Sequence, residues 1–118
     1  MAKQAKLAIG PAEARDLCQF FGLLGDETRL ALFLHLAGDD VHVGALCELL
    51  GLAQPTVSHH LGLLRRGRVV HAQRRGKQVV YSLNRKTLEE VSASLLKGFP
   101  GGGAIRLGDV LDVKAGRG

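Results

Sequence analysis

Apolar residues recur at helical spacing through the first half of the chain, alternate over a short stretch after residue 68, and then return to helical spacing. Leu17, Phe20, Phe21 and Leu24 fall at i, i+3, i+4 and i+7, one face of an amphipathic helix. Pro11 can open that helix and Gly22 with Gly25 can close it. Asp26 is a good cap for a second helix, with Glu27 in its first turn. Leu30, Phe33, Leu34 and Ala37 form the expected buried stripe, widened by Leu32 and Leu36, so this helix is expected to be the most buried. His35 lies among these residues and reads as a partly buried structural histidine. Gly38-Asp39-Asp40 ends the helix.

Val43, Leu46, Cys47 and Leu50 repeat the same spacing in a third helix, stopped by Gly51. Val57, Leu61 and Leu64 give one side of a fourth helix, over residues 53–66, with Pro55 tolerated in its first turn. Two short helices joined by a three- or four-residue turn containing glycine make a helix-turn-helix, although an ordinary helical corner has the same outline. Val69 to Gln73 and Gln78 to Leu83 are β-rich runs joined by Arg74-Arg75-Gly76-Lys77, which predicts a hairpin over residues 69–83. A hairpin directly after a helix-turn-helix is a wing. Asn84 or Thr87 can cap a last helix, whose face carries Leu88, Val91, Ser92 and Leu95. The fold class is therefore mainly α with a β-hairpin wing, in the order α-α-α-α-β-β-α.

Pro100 to Gly103 is a breaker. The expected division is a flexible arm over residues 1–10, one domain over 11–98, and a Gly-rich break with a tail over 99–118. With 118 residues there is room for one modest core, and 46% hydrophobic residues support a folded one. No apolar run approaches the ~20 residues of a membrane span, and the N-terminus lacks a secretory core. A cytoplasmic protein without a membrane partner is expected.

Charge changes the picture of the fourth helix. No Asp or Glu lies between Glu48 and Glu89, yet that interval holds eight of the chain's 16 Lys and Arg residues, and the net charge is +5. A basic run is often only a solvated face, but so long an absence of acids favours a polyanion. The side of the fourth helix opposite its apolar stripe carries Gln54, Thr56, Ser58 and His59, short groups that can donate to and accept from base edges in a major groove. Arg65, Arg74, Arg75 and Lys77 are placed to meet phosphates. With no Trp and one Tyr, stacking of single-stranded bases is not expected, and double-stranded DNA is the expected partner.

From about residue 12 to 97 the chain resembles the ArsR/SmtB family of bacterial winged-helix repressors. The resemblance rests on Gly25-Asp26-Glu27-Thr28-Arg29-Leu30, on Leu52 through Leu61, on Leu64-Arg65, and on the wing from Arg74 to Leu83. It implies a homodimer built on the first and last helices, which carry Leu17, Phe20, Phe21, Leu88, Val91 and Leu95. It also implies that the fourth helix reads operator DNA while the wing lies on the backbone.

The chain departs from the family where metal is sensed. Aligned through Gly51-Leu52, the Cys-x-Cys pair of metal-sensing members falls on His42-Val43-Gly44, and neither position is cysteine. The last helix offers Glu89 and Glu90 but no His. Soft and borderline ions need thiolate or imidazole ligands, so no metal site and no cofactor are expected. His59-His60 is not a ligand pair, since adjacent helical residues point about 100° apart. Cys18 and Cys47 fall on apolar stripes, where both read as buried, inert thiols. Ala53 replaces the hydroxyl usual at that helix start, and losing such a cap costs ~0.5–2 kcal/mol. The inducer is not identified. Two alternatives stay open: a metal- or redox-responsive repressor using Cys18 and Cys47, and a winged-helix protein-interaction module. No phosphate loop, carboxylate pair or Ser-His-Asp pattern supports an enzyme.

Overall fold

The computed structural model describes residues 8–99. The arm's residues 1–7 and the tail's residues 100–118 lie outside them. The elements run α1 (Pro11–Leu23), α2 (Glu27–Gly38), β1 (Val41–His42), α3 (Val43–Leu50), α4 (Gln54–Arg66), β2 (Val70–Arg75), β3 (Gln78–Leu83) and α5 (Arg85–Lys97). This is the winged helix-turn-helix order expected from the pattern, with β1 added.

Each helix start has a local cause. Pro11 sits in the first turn of α1, where its missing N–H costs nothing, and the Glu13 carboxylate accepts from Gly10 N–H at 3.2 Å. The Asp26 carboxylate accepts from Arg29 N–H at 3.0 Å and caps α2. His42 Nδ1 accepts from Ala45 N–H at 3.3 Å and caps α3. Of the two candidates for the cap of α5, Asn84 takes the role, its side chain accepting from Thr87 N–H at 3.3 Å. Ala53 gives α4 no side-chain cap.

The wing is longer than its sequence pattern suggested. Pairing continues to Arg75↔Gln78, with Gly76 in the turn at φ +64°, so Arg74 and Arg75 belong to β2 and not to the loop. The strand order is β1-β3-β2, antiparallel throughout, with Val41↔Tyr81 and His42↔Val80 joining the new strand to β3. Two residues carry too little pattern to be read as a strand. They matter because they fasten the wing's root to the connection between α2 and α3.

The core draws on α1 to α4 and on the wing strands β2 and β3. Phe20, Leu32, Leu36, Leu46, Val57, Leu61, Leu64, Val69, Val70 and Leu83 form one buried cluster. Val57, Leu61 and Leu64 are each 0% exposed, so α4, not α2, presents the most completely buried stripe. The stripe expected on α2 is also rotated. Leu30 is 42% and Leu34 59% exposed, and Ala37 is exposed too, while Leu32 and Leu36 are buried. Leucines at 30, 32, 34 and 36 supply every side of the helix, so periodicity could not choose among them. The buried phase is Arg29, Leu32, Phe33 and Leu36, headed by a charged residue. His35 is on the other side and exposed, a correction to its expected burial. Cys18 is exposed as well, one position round α1 from buried Leu17, and only Cys47 is partly covered.

The end of α4 places two demands on adjacent residues. Arg68 N–H donates to Arg65 O at 3.0 Å and Val69 N–H to Leu64 O at 2.9 Å, closing the helix in a Schellman motif. The left-handed position of that motif is Arg68, at φ +64°, although glycine stands next to it. Gly67 is used for something else: a Cβ there would collide with the Leu23 side chain, which closes over the end of α4.

Candidate nucleic-acid interface

The turn Gly51–Ala53 sets α4 against α3 as the second helix of the pair. Gly51 ends α3 in the left-handed region at φ +67°, and Leu52 is half-buried. With Val57, Leu61 and Leu64 turned fully inward, the rotation of α4 is set by its core contacts. The opposite side then carries Gln54, Thr56, Ser58 and His59, all four exposed. A helix end with uncapped N–H groups lies at the same place, because Ala53 offers no side-chain acceptor.

Arg65, Arg74, Arg75 and Lys77 are exposed. Arg74 and Arg75 end β2 and Lys77 lies in the turn beside Gly76, which puts three cations at one tip. Arg75 is the one with protein partners: its Nη2 donates to Gln73 Oε1 at 3.3 Å and lies 4.0 Å from Asp40 Oδ2. That exposed ion pair is weak. All eight residues singled out for DNA contact are therefore on the surface, on α4 or on the wing.

The residues singled out for a dimer seam divide differently. Leu17 and Phe20 are buried within the protomer, Leu88 and Val91 are half-buried, and Phe21 at 47% and Leu95 are exposed. Helices α1 and α5 pack on each other, fastened by Lys97 Nζ to Glu13 Oε2 at 2.9 Å and by Ser94 Oγ–H to the same oxygen at 3.3 Å. An open groove of about 270 Å³ runs between them and the end of α4, lined in part by Leu17, Phe20, Arg66, Arg68 and Val91.

A group of residues missed by sequence reading sits behind α4. Arg29 Nε donates to the Leu23 carbonyl at 2.6 Å, and its Nη1 donates to His60 Nδ1 at 3.1 Å. Asp26 Oδ2 is 3.7 Å from the same ring nitrogen. The Arg29 N–H bond holds the Asp26 carboxyl below its usual range, opposed by partial burial and helped by the Arg29 charge. Asp26, Arg29 and His60 all lie in segments that carry the family resemblance, but spacing alone gave no reason to join residues 31 positions apart.

Among the described residues no three His, Cys, Asp or Glu side chains come together in a way that could hold a metal ion. His42 is occupied as the cap of α3. No described helix is long and apolar enough to cross a membrane.

Residues 24–72 match a family described as a helix-turn-helix domain. Transcriptional repressor SdpR of Bacillus subtilis is 33% identical over 70 residues, which are 59% of this chain and 78% of that protein. A transcriptional repressor SmtB homolog of Synechocystis is 37% identical over 71 residues, 60% of this chain and 54% of the relative, so the match spans about half of that protein's length. In structure, the chain is similar to a homodimeric winged helix-turn-helix DNA-binding domain from Mycobacterium bovis, with a TM-score of 0.62 and 24% identity over 78% of this chain and 84% of the other. That last likeness is one of fold.

Proposed function

The chain belongs to the ArsR/SmtB family of winged helix-turn-helix transcriptional regulators, and from that membership we propose that it is a homodimeric repressor whose α4 reads an inverted-repeat operator while its wing grips the backbone. Residues 11–98 act in this reading as one DNA-binding and dimerisation domain. The relatives that match are repressors and regulators, not enzymes.

One observation carries the reading: a helix whose inward stripe is wholly buried turns Gln54, Thr56, Ser58 and His59 outward, beside a wing tip of three exposed cations. Short polar groups on a helix suit base edges in the major groove, and Arg or Lys beside them suits phosphate. Gln54, Thr56, Ser58 and His59 take the base contacts; Arg65, Arg74, Arg75 and Lys77 take the phosphates.

A second copy follows from the same geometry. One protomer offers one such helix, while Phe21 and Leu95 leave apolar surface exposed on α1 and α5. The homodimeric Mycobacterium bovis domain supports pairing on a fold of this kind. Two-fold pairing places half-sites about one helical turn, ~34–36 Å, apart.

Capture of fragmented genomic DNA by the purified protein, with sequencing of what is retained, tests the reading together with sedimentation. An enriched inverted repeat bound by a dimer is the expected result. A monomer at micromolar concentration, holding duplex DNA without sequence preference, would sink it in favour of a protein-interaction module that has kept the fold.

A further inference from the structure

We infer that His60 is a positioning residue for the DNA-reading helix: held by Arg29 from behind, it sets the ring of His59 at the groove. The inference rests on the reading of α4 given above and assigns a role to residues that themselves touch no DNA.

The geometry defines the chemistry. Arg29 Nη1 can only donate, so His60 Nδ1 at 3.1 Å must accept. A hydrogen on Nδ1 would point two donors at each other, and the nearest carboxylate oxygen, Asp26 Oδ2 at 3.7 Å, is too far to take it. The ring is therefore the neutral tautomer with its hydrogen on Nε2. Arg29 is itself fixed, since Nε donates to Leu23 O at 2.6 Å and its backbone N–H holds the Asp26 cap. The start of α2 thus anchors the Arg29 backbone, the end of α1 holds its guanidinium, and that guanidinium holds one face of α4.

The link then reaches the DNA side. His60 is half-buried, and the ring of exposed His59 stands edge-on to it, centroids 5.4 Å apart with planes at 66°. An exposed imidazole without a neighbour samples several rotamers. Placed against a ring that cannot turn, it loses that freedom before DNA arrives, which improves a directional base contact and does nothing for a phosphate contact. The core stripe of Val57, Leu61 and Leu64 sets the rotation of α4, while Arg29 and His60 fix the ring that stands beside His59.

The test compares the parent, His60→Leu, His60→Asn, Arg29→Gln, the His60→Leu, Arg29→Gln double variant and His59→Ala on the selected operator and on a random duplex, across a salt series. Leucine fills the space without an acceptor. Asparagine can present Oδ1 where Nδ1 now stands. His60→Leu should lower the ratio of operator to random affinity about tenfold, with random-duplex affinity and salt slope unchanged. His60→Asn should recover that ratio to within about threefold, and Arg29→Gln should add little on the His60→Leu background. A merely structural role would move thermal stability without this pattern. In the parent, nitrogen-15 spectra should show His60 as the Nε2–H tautomer with Nδ1 accepting. The inference is overturned if His60 is found as the Nδ1–H tautomer, or if His60→Leu and His60→Asn both discriminate like the parent while His59→Ala does not. If His59→Ala also keeps full discrimination, the reading of α4 is what fails.

Discussion

Glu13 Oε2 stands 2.9 Å from Lys97 Nζ and ties the first described helix to the last. The Lys97 hydrogen bond is the main cause that holds the Glu13 carboxyl below its usual value of 4.5, followed by the Gly10 N–H. A carboxyl depressed in the folded state contributes stability that is complete above the unfolded value and is lost as pH falls through the folded one. The parent should therefore lose melting temperature more steeply than Glu13→Gln below about pH 4.5, with the two converging in strong acid. Because the pair is exposed, added salt should narrow the gap. Parallel melting curves across that range would exclude the link.

The rotated stripe of α2 makes a sharper stability contrast. Leu32→Ala empties a fully buried position and should cost about 2–5 kcal/mol. Leu34→Ala changes a side chain that is 59% exposed and should fall within about 0.5 kcal/mol of the parent. Denaturant midpoints decide it. Equal losses at the two positions would mean that Leu34 is covered, and a loss at Leu34 that deepens on dilution would place it in contact with a second copy.

That contrast also marks what could be read from the sequence. The stripe of α4 was legible because Val57, Leu61 and Leu64 stand alone on their side against polar neighbours. On α2, four leucines two residues apart made every phase acceptable, and the phase chosen is headed by Arg29, which hydrophobic periodicity counts as surface. Arg29 is turned inward by partners at Leu23 and His60 that only the fold brings near. β1 was hidden for another reason: a two-residue strand has no alternation to detect and exists through its partner β3. Left-handed Arg68 was hidden by Gly67, the residue that chain chemistry would have put there. The exposed DNA-facing residues were legible because hydrogen-bonding type, charge and helical phase coincide in them.

Affinity and sequence preference should separate on the two parts of the DNA surface. Lys77→Ala or Arg74→Ala should weaken operator and random duplex alike and reduce the salt slope by about one counterion. Arg75→Ala should do the same, less strongly to the extent that Gln73 and Asp40 already engage that side chain. Ser58→Ala or His59→Ala should instead narrow the difference between operator and random DNA by about 1–3 kcal/mol if a base contact is lost. A wing variant that altered sequence preference and left the salt slope untouched would reverse these assignments.

The two thiols should behave differently from each other, and neither should be required for DNA binding. Cys18 is exposed on α1, and Cys47 is partly covered within the stripe of α3. A thiol reagent should therefore modify Cys18 first and Cys47 more slowly, with the second phase accelerated by denaturant. Exposure makes Cys18 available, but a metal-responsive switch also needs several deprotonated ligands at close range that favour one conformation of the assembly. Zinc asks for about four at ~2.0–2.3 Å, and among the described residues no group of three potential ligands comes together. The Cys18→Ser, Cys47→Ser double variant should bind operator within about threefold of the parent, and zinc, cadmium, arsenite or antimonite should shift neither protein further than that. Binding assays with and without each ion, on both proteins, measure this directly. A stoichiometric metal complex that releases the operator from the parent and not from the double variant would contradict it, and would put Cys18 and Cys47 at the centre of the response.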